Sequence, residues 1–504
     1  MDVRSPLDGR VLGQVPVCEP QDVTDAVASA RAAQPAWAAA GLAHRCRVAN
    51  RFRDLLLDHA EELLDLVHAE NGKSRVNAFE ELLDAALTTA YYAQHAPRQL
   101  AVRARMGAIP LLTSTVERYL PKGVVGIISP WNYPLTLAVS DAVPALLAGN
   151  AVVLKPDSHT PLTALAAVRL LHEAGVPKDV MRVVTGPGSA LGTPLIEAVD
   201  YLMFTGSTQT GRTVAAQAGQ RLIGCSAELG GKNAMLVLAD ADAALAAKGA
   251  VRACFSNTGQ LCVSIERIYV HQSVFDDFCA AFVRRTGEIV LGSGPGWDVD
   301  LGPLISERQL AGVAAHVDDA VARGARVLAG GRARPDLGPT FYEPTILAGV
   351  TAEMAVARQE TFGPVVSVYP VSSDVEAVAA ANDTDYGLNA SVWSASARHA
   401  RRVARQLRAG TVNVNEGYAA AWASHGAPMG GTGISGLGRR HGRDGIVKYT
   451  EPQTLATHRG PLIGPLDGVP RETYAAVMTA AGRVLRRLPI GWPARLWTSV
   501  REFL

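Results

Sequence analysis

Apolar positions change their period several times along the chain, and each change marks an element. Residues 1–20 read as a short strand pair with a turn at Asp8-Gly9. Between 21 and 100, Phe52, Leu55, Leu56, Leu63, Leu66 and Val67 recur at helical spacings and predict one apolar helix face. Asn71-Gly72 is a helix stop. From Thr113 to Pro121 polar and apolar residues alternate, as in a strand. Short apolar runs follow at Val124–Ile128, Ala151–Leu154, Met181–Val184 and Tyr201–Phe204, separated by helix-like stretches such as Thr163–Ala174. That alternation predicts βαβ units and a parallel sheet, with ligands at the carboxyl ends of its strands. A second alternation begins at Asp240. Helices are expected over Ala243–Ala253, Val274–Thr286, Glu307–Arg323 and Asp374–Asn382, and strands over Arg267–Val270, Arg326–Leu328, Val365–Tyr369 and Ala390–Trp393. Residues 446–457 read as one more strand. The expected fold class is α/β.

Composition narrows this picture. A chain of 504 residues asks for two or three domains. A formal net charge of +1 gives no electrostatic reason for a nucleic-acid partner. The longest apolar run, Pro134 to Leu154, is broken by Asp141, Pro144 and Gly149-Asn150, so it reads as buried core rather than a membrane span. The first nine residues have no apolar core, and no signal peptide is expected. The six cysteines form no CxxC pair, which predicts a reducing, cytoplasmic setting; no metal site is expected. Residues 459–504 stand apart, with seven arginines against three acids. Val477, Ala481, Val484, Leu485 and Leu488 share a helical face there, and Trp492, Trp497 and Phe503 follow. Such a basic amphipathic tail suits contact with a membrane, a partner or the protein's own body.

Candidate chemistry concentrates in two stretches, Glu228-Leu-Gly-Gly-Lys232 and Phe255-Ser-Asn-Thr-Gly-Gln-Leu-Cys262. A thiol at Cys262 can attack a carbonyl and form a covalent adduct, and a carboxylate at Glu228 can activate water to release it. Upstream, Phe204 leads into Thr205-Gly-Ser-Thr-Gln-Thr-Gly-Arg-Thr213. A strand, a small-residue turn and a helix offer backbone N–H groups to a phosphate. Gly206 to Thr213 also has P-loop spacing, but Arg212 stands where that loop needs a lysine, which argues against a nucleotide hydrolase.

Together, Pro130-Trp-Asn-Tyr-Pro134, Lys155-Pro156, Phe204-Thr-Gly-Ser207, Glu228-Leu-Gly-Gly-Lys232, Gly259-Gln-Leu-Cys262 and Glu360-Thr-Phe-Gly-Pro364 resemble the aldehyde dehydrogenase superfamily, over residues 1–455. The resemblance implies a Rossmann-like cofactor domain (1–112 and 126–238), an α/β catalytic domain (239–440) and a small β oligomerisation arm (113–125 and 441–458), hence a homodimer or dimer of dimers. It implies Cys262 as nucleophile, Glu228 as base and the Asn132 amide as oxyanion donor. The implied cofactor contacts are Ser129, Trp131, Lys155, Ser158, Gly188, Gly192, Thr205, Gly206, Ser207, Thr210, Leu229, Glu360 and Phe362. The implied cofactor is NADP or NAD. Members that prefer NAD often carry a glutamate three residues after the lysine, where this chain has Ser158, so NADP is expected to be accepted and favoured. An acylating, thioester-releasing relative would not need the hydrolytic Glu228, and a silent relative would not need all three groups.

The chain is also similar to an actinobacterial branch labelled succinate-semialdehyde dehydrogenase. Members of that class hold the substrate carboxylate with two arginines, and this chain has Ser140 and Ser256 at those positions. Tyr418-Ala-Ala-Ala-Trp422 would line the entrance instead. A buried carboxylate without a partner is costly, so neutral apolar or aromatic aldehydes are the alternative expectation, unless Arg267 or His425 supplies a cation.

Overall fold

The computed structural model describes residues 1–109, 112–465 and 467–485. Two compact units divide the chain: one holds Met1–Gln99 and Pro121–Tyr449, the other Leu100–Leu120 and the residues from Thr450 onward.

The larger unit contains two sheets. Its six-stranded sheet runs Met181–Val183, Ala151–Lys155, Val124–Ile128, Tyr201–Thr205, Gly224–Glu228 and Gly436–Leu437. All pairs but the last are parallel. The chain order reverses between Val124–Ile128 and Tyr201–Thr205. That reversal is a topological switch point, where an open α/β sheet leaves a crevice for a ligand. The loops that leave these two strands are Ser129–Asn132 and Thr205–Ser207, both singled out above.

The seven-stranded sheet runs Arg326–Ala329, Thr345–Ala348, Val365–Val371, Ile265–His271, Asn233–Val237, Asn389–Trp393 and Thr411–Val414, with only the first pair antiparallel. Its central strands are buried along their length because helices cover both faces. On one side Ala246, Ala250, Phe278 and Phe282 pack against Ile268 and Val270; on the other Ala377 and Val403 pack against Leu236 and Val392. Residues 229–232 therefore carry the chain from the carboxyl edge of one sheet to the amino edge of the other.

The helical region behaves as its apolar spacing requires, with one break. Phe52 and Leu56 belong to Leu42–Asp58, whereas Leu63 and Val67 belong to Ala60–Asn71; all four are buried. Gly72 ends the second helix at a φ of +83°, which only glycine adopts cheaply.

Boundaries differ from expectation where local sequence is ambiguous. Val124–Ile128 is a central strand of the six-stranded sheet, and Tyr449 is a core residue of the larger unit, so the segment boundaries 125 and 441 for a β arm move to 120 and 450. The expected strand over 446–457 begins at Thr450, because Asp444–Val447 is a helical turn. Gly436–Leu437 joins the six-stranded sheet rather than the one that precedes it in sequence. In the smaller unit, Thr450–His458, Thr113–Pro121 and Arg103–Arg105 form a three-stranded sheet. The tail forms a helix, Arg471–Leu485, with Val477, Met478 and Val484 exposed. Leu488, Trp492, Trp497 and Phe503 lie outside the described residues.

Candidate active site

The turn before Cys262 sets the site. Asn257, Thr258 and Gly259 all have left-handed φ values of 51°, 55° and 69°. Two non-glycine residues in that region store strain, which structures keep mainly at functional positions. The turn is held from several directions. Asn257 N–H donates to Asn77 Oδ1 (3.0 Å), and its side-chain amide donates to the carbonyls of Asn132 (3.1 Å) and Gln260 (3.0 Å). At Gly259 a Cβ would stand 2.0 Å from the Gly363 carbonyl oxygen, so no side chain fits. After the turn, Asn233 Nδ2 donates to the Cys262 carbonyl at 2.7 Å.

Asn132 is brought to the same turn. Its Nδ2 donates to the Gln260 carbonyl at 3.0 Å. An amide nitrogen has two hydrogens, and that bond orients the second. The Asn132 backbone is fixed by Lys73, whose buried ammonium donates to its carbonyl (2.6 Å) and to Glu81 Oε1 (2.5 Å). Removing one partner of a buried pair typically costs about 3–5 kcal/mol. Lys73→Met is therefore expected to lower stability by that order and to loosen the Asn132 loop, seen as a lower urea midpoint together with a lower kcat. An unchanged midpoint would mean that the pair does not hold the loop.

Glu228 is the last residue of the strand Gly224–Glu228. It is buried, and its Oε1 has no hydrogen-bond partner. Burial pushes its carboxyl up to about 7, against the pull of Arg440 and Lys448. Those two cations are themselves committed to Asp141, which Tyr449 also contacts at 2.8 Å. Burial, and then the charges of Glu228 and Glu360, push the Cys262 thiol up to about 12. Cys262 and Glu228 are thus electrostatically coupled.

The crevice at the switch point carries the other expected residues. Ser207 caps the helix Thr208–Gln220, its Oγ accepting from Thr210 N–H. Gly206 donates to the Glu228 carbonyl at 3.1 Å, and a Cβ there would meet the Phe204 ring at 2.6 Å. Leu229 packs under this helix, close enough that a Cβ at Gly211 would collide with it. Ser129 N–H donates to the Lys155 carbonyl across neighbouring strands. Lys155 Nζ spends one donor on Pro156 O (2.6 Å), and burial lowers its pKa. Ser158 Oγ donates to Gly186 O at 3.1 Å. Gly188 begins the helix Gly188–Ala198; a Cβ there would come within 3.7 Å of Lys155 Cε, and nothing lies near Gly192. Glu360 rests on the glycine pair: Gly231 N–H donates to it at 2.9 Å, and a Cβ at Gly230 would overlap it. Burial pushes Glu360 up to about 8. Phe362 meets Trp131 edge-on, with ring centroids 5.5 Å apart. Thr205 pairs with Glu228 across the strands.

These residues fit a dinucleotide. A phosphate finds the N-terminus of a thirteen-residue helix and a side-chain-free approach at Gly206, and a ribose finds Lys155 or Glu360.

Sequence reasoning missed several supporting groups. Glu266 pairs with Lys232 and accepts from the N–H groups of Thr361 and Phe362, which fixes the Glu360 loop. Lys73, Glu81, Asn257, Asp141 and Arg440 have the same supporting role. The one legible signal was an acid, Glu81, on the apolar face formed by Ala78, Leu82 and Ala85. Arg267 is no substrate cation. Its guanidinium is buried and donates to the carbonyls of Lys232, Ala380 and Ala381.

Beside Leu261, the residue before Cys262, lies a cavity of about 110 Å³. Tyr133, Leu261, Tyr418, Trp422, Leu83 and Leu87 form most of its wall. Its ionisable acid and base side chains are paired with each other, Arg252 with Glu80 (2.9 Å) and His425 with Asp84 (3.1 Å), whereas the buried Tyr133 hydroxyl has no hydrogen-bond partner. Ser140 Oγ donates to the Thr136 carbonyl (2.6 Å), Ser256 is buried, and the Tyr418 hydroxyl donates to Glu80 (3.2 Å).

The sequence model of the aldehyde dehydrogenase family matches residues 1–455. The chain belongs to that family. This aldehyde dehydrogenase is 55% identical to a Mycolicibacterium smegmatis protein, provisionally named succinate-semialdehyde dehydrogenase [NADP(+)], over 95% of this chain and 93% of that one. It is 39% identical to the 4,4'-diapolycopene aldehyde oxidase of a Methylomonas species, over 91% and 86%. Among solved structures, betaine aldehyde dehydrogenase from Staphylococcus aureus in complex with NAD+ superposes with a TM-score of 0.88 at 32% identity, covering 93% of each chain. The α/β architecture described above is thus the aldehyde dehydrogenase fold.

Proposed function

We propose that this aldehyde dehydrogenase oxidises a neutral, apolar aldehyde to its carboxylic acid through a thioester on Cys262. The observation that carries the substrate class is the cavity wall. It is aromatic and aliphatic, and its basic side chains already face carboxylates. Among the described residues lining it, Arg252 answers Glu80, and His425 answers Asp84. The Methylomonas relative, named for a polyene aldehyde, supports the same class.

The steps follow from the residues. Cys262 Sγ attacks the aldehyde carbon, and its proton passes to Glu228, whose raised pKa lets it hold a proton near neutrality. The oxyanion meets the second Asn132 amide hydrogen and the Cys262 N–H. Such donors are worth about 3–4 kcal/mol each. A nicotinamide bound against the crevice supplies the acceptor for the hydride that leaves the adduct carbon, and a thioester remains on Cys262. Glu228, ionised again, takes a proton from water, which attacks the thioester and frees the acid and the thiol.

NADP is the proposed cofactor, with NAD as the alternative. Ser158 brings no negative charge to repel a 2′-phosphate, and Lys155 keeps donors to meet one. The M. smegmatis relative carries NADP(+) in its name. The domain roles proposed are cofactor binding for the six-stranded sheet with its helices, catalysis for the seven-stranded sheet, and assembly into a homodimer or dimer of dimers for the smaller unit. A cytoplasmic setting is proposed with them. No helix among the described residues is long and apolar enough to cross a membrane. The basic helix Arg471–Leu485 exposes Val477, Met478 and Val484 and is proposed to touch a membrane surface or partner weakly.

Succinate semialdehyde is the second reading, favoured by the name of the M. smegmatis relative. Initial rates of NADPH formation at 340 nm separate the two. Hexanal or benzaldehyde is expected to exceed succinate semialdehyde by about tenfold or more in kcat/KM, a difference of about 1.4 kcal/mol. The reverse ratio would sink the neutral-aldehyde reading. A preference for NAD above tenfold would sink the cofactor assignment alone.

A further inference from the structure

Three ligand-type side chains that are far apart in sequence converge behind the aldehyde cavity: Asp84, His425 and His441. All three are buried, and one donor atom from each lies within 4.8 Å of the other two. Asp84 Oδ1 and His425 Nε2 are 3.1 Å apart. Around a tetrahedral zinc ion with bonds of about 2.0–2.1 Å, neighbouring ligand atoms stand about 3.3 Å apart. That edge is therefore already formed.

We propose that Asp84, His425 and His441 form a binding site for a first-row divalent cation such as Zn2+, completed by water. An ordinary polar bracket, tying the helix Arg75–Gln99 to two loops, would need only the Asp84–His425 bond. It leaves His441 unexplained. The Nδ1 atom of His441 is buried with no hydrogen-bond partner, a loss that costs about 1–3 kcal/mol. Its backbone adopts a φ of +58°, a strained choice for a residue other than glycine. The neighbouring loops are pinned around it: Gly442 N–H donates to the His425 carbonyl at 2.7 Å, and Met429 and Arg440 exchange backbone hydrogen bonds. The fold thus meets two costs to present one ring nitrogen to the Asp84–His425 pair.

The second oxygen of Asp84 accepts from Thr136 Oγ1 at 2.5 Å, the outer contact that orients metal-binding carboxylates. Two imidazoles and one carboxylate are a borderline donor set, suited to zinc, cobalt or nickel rather than magnesium or calcium. Asp84 and His425 also line the cavity.

The test uses the full-length Cys262→Ala chain, so that the reactive thiol cannot compete for metal. After EDTA treatment and dialysis, Co2+ is titrated and read by its visible d–d absorption. One Co2+ per chain with the intense bands of a four- or five-coordinate site is expected. Binding at least tenfold weaker is expected when His441→Gln or Asp84→Asn is added. The weak spectrum of aqueous Co2+, or equal binding with His441→Gln, overturns the site. Should those variants not fold, zinc-edge X-ray absorption on the Zn2+-loaded Cys262→Ala chain decides the same point. Two imidazole shells support the site, and their absence overturns it.

Discussion

Cys262→Ala is expected to abolish aldehyde-dependent NADPH formation, a loss of at least about a thousandfold in kcat. No other thiol is placed to substitute. Cys254 is packed in the core of the seven-stranded sheet, and burial pushes it well above the ordinary thiol range. Burial likewise pushes Cys225 and Cys279 up to about 11. Stability should change little, because Cys262 is only part-buried and truncation to alanine removes one sulfur atom. Circular dichroism and the melting temperature therefore serve as the control. Aldehyde oxidation within tenfold of the parent in a folded Cys262→Ala would end the covalent reading and leave a direct hydride-transfer route as its replacement.

Glu228→Gln is the second large effect, and it should divide in time. Attack on the aldehyde is slowed, because water must take the thiol proton in place of Glu228, but attack and hydride loss can still proceed once, whereas hydrolysis lacks its base. Steady-state turnover is expected to fall by about 10²- to 10⁴-fold, with a first-turnover burst of NADPH close to one per active site. In the parent, turnover limited by hydrolysis should rise with pH through about 7, as Glu228 ionises. Stability changes in the opposite sense. The folded-state pKa lies above the ordinary value of 4.5, so protonated Glu228 stabilises the fold. That contribution is full below about pH 4.5 and is lost as pH rises through about 7. Glutamine mimics the protonated form. The variant should be more stable than the parent at pH 8, by up to about 3 kcal/mol, and equal to it near pH 4.5. A fall in the urea midpoint at pH 8 would contradict burial as the cause of the raised pKa. Losing the carboxylate should also ease ionisation of Cys262, since Glu228 is the leading charge opposing its thiolate. Alkylation by iodoacetamide at pH 8 should then be faster.

Much of the frame was legible because βαβ periodicity is a strong local signal. Helix Asp374–Asn382 and the strand Val124–Ile128 fall where apolar spacing puts them. Gly224–Glu228 and Asn233–Val237 were not foreseen as strands. Gly224-Cys-Ser-Ala-Glu228 has no β-branched residue, and Asn233 follows a glycine pair. Their pairing is set by neighbours in the two sheets, a tertiary influence that no local window contains. Burial of Glu228 at the end of the first of these strands is what raises its pKa. Motif residues such as Cys262, Asn132 and Glu360 could be named from sequence because their chemistry is carried by residue type. Their supports could not. Glu266 and Asp141 act through partners about a hundred or more residues away, among them Thr361 and Arg440. The gathering of Asp84, His425 and His441 was invisible for the same reason, and an expectation of no metal site followed from spacing alone.

The most direct test of a thioester on Cys262 released by Glu228 is mass spectrometry of Glu228→Gln, quenched in acid after one turnover with hexanal and NADP. The expected result is a hexanoyl mass increment confined to the peptide containing Cys262. A burst of NADPH with no adduct on that peptide, or an adduct on another residue, would contradict the account.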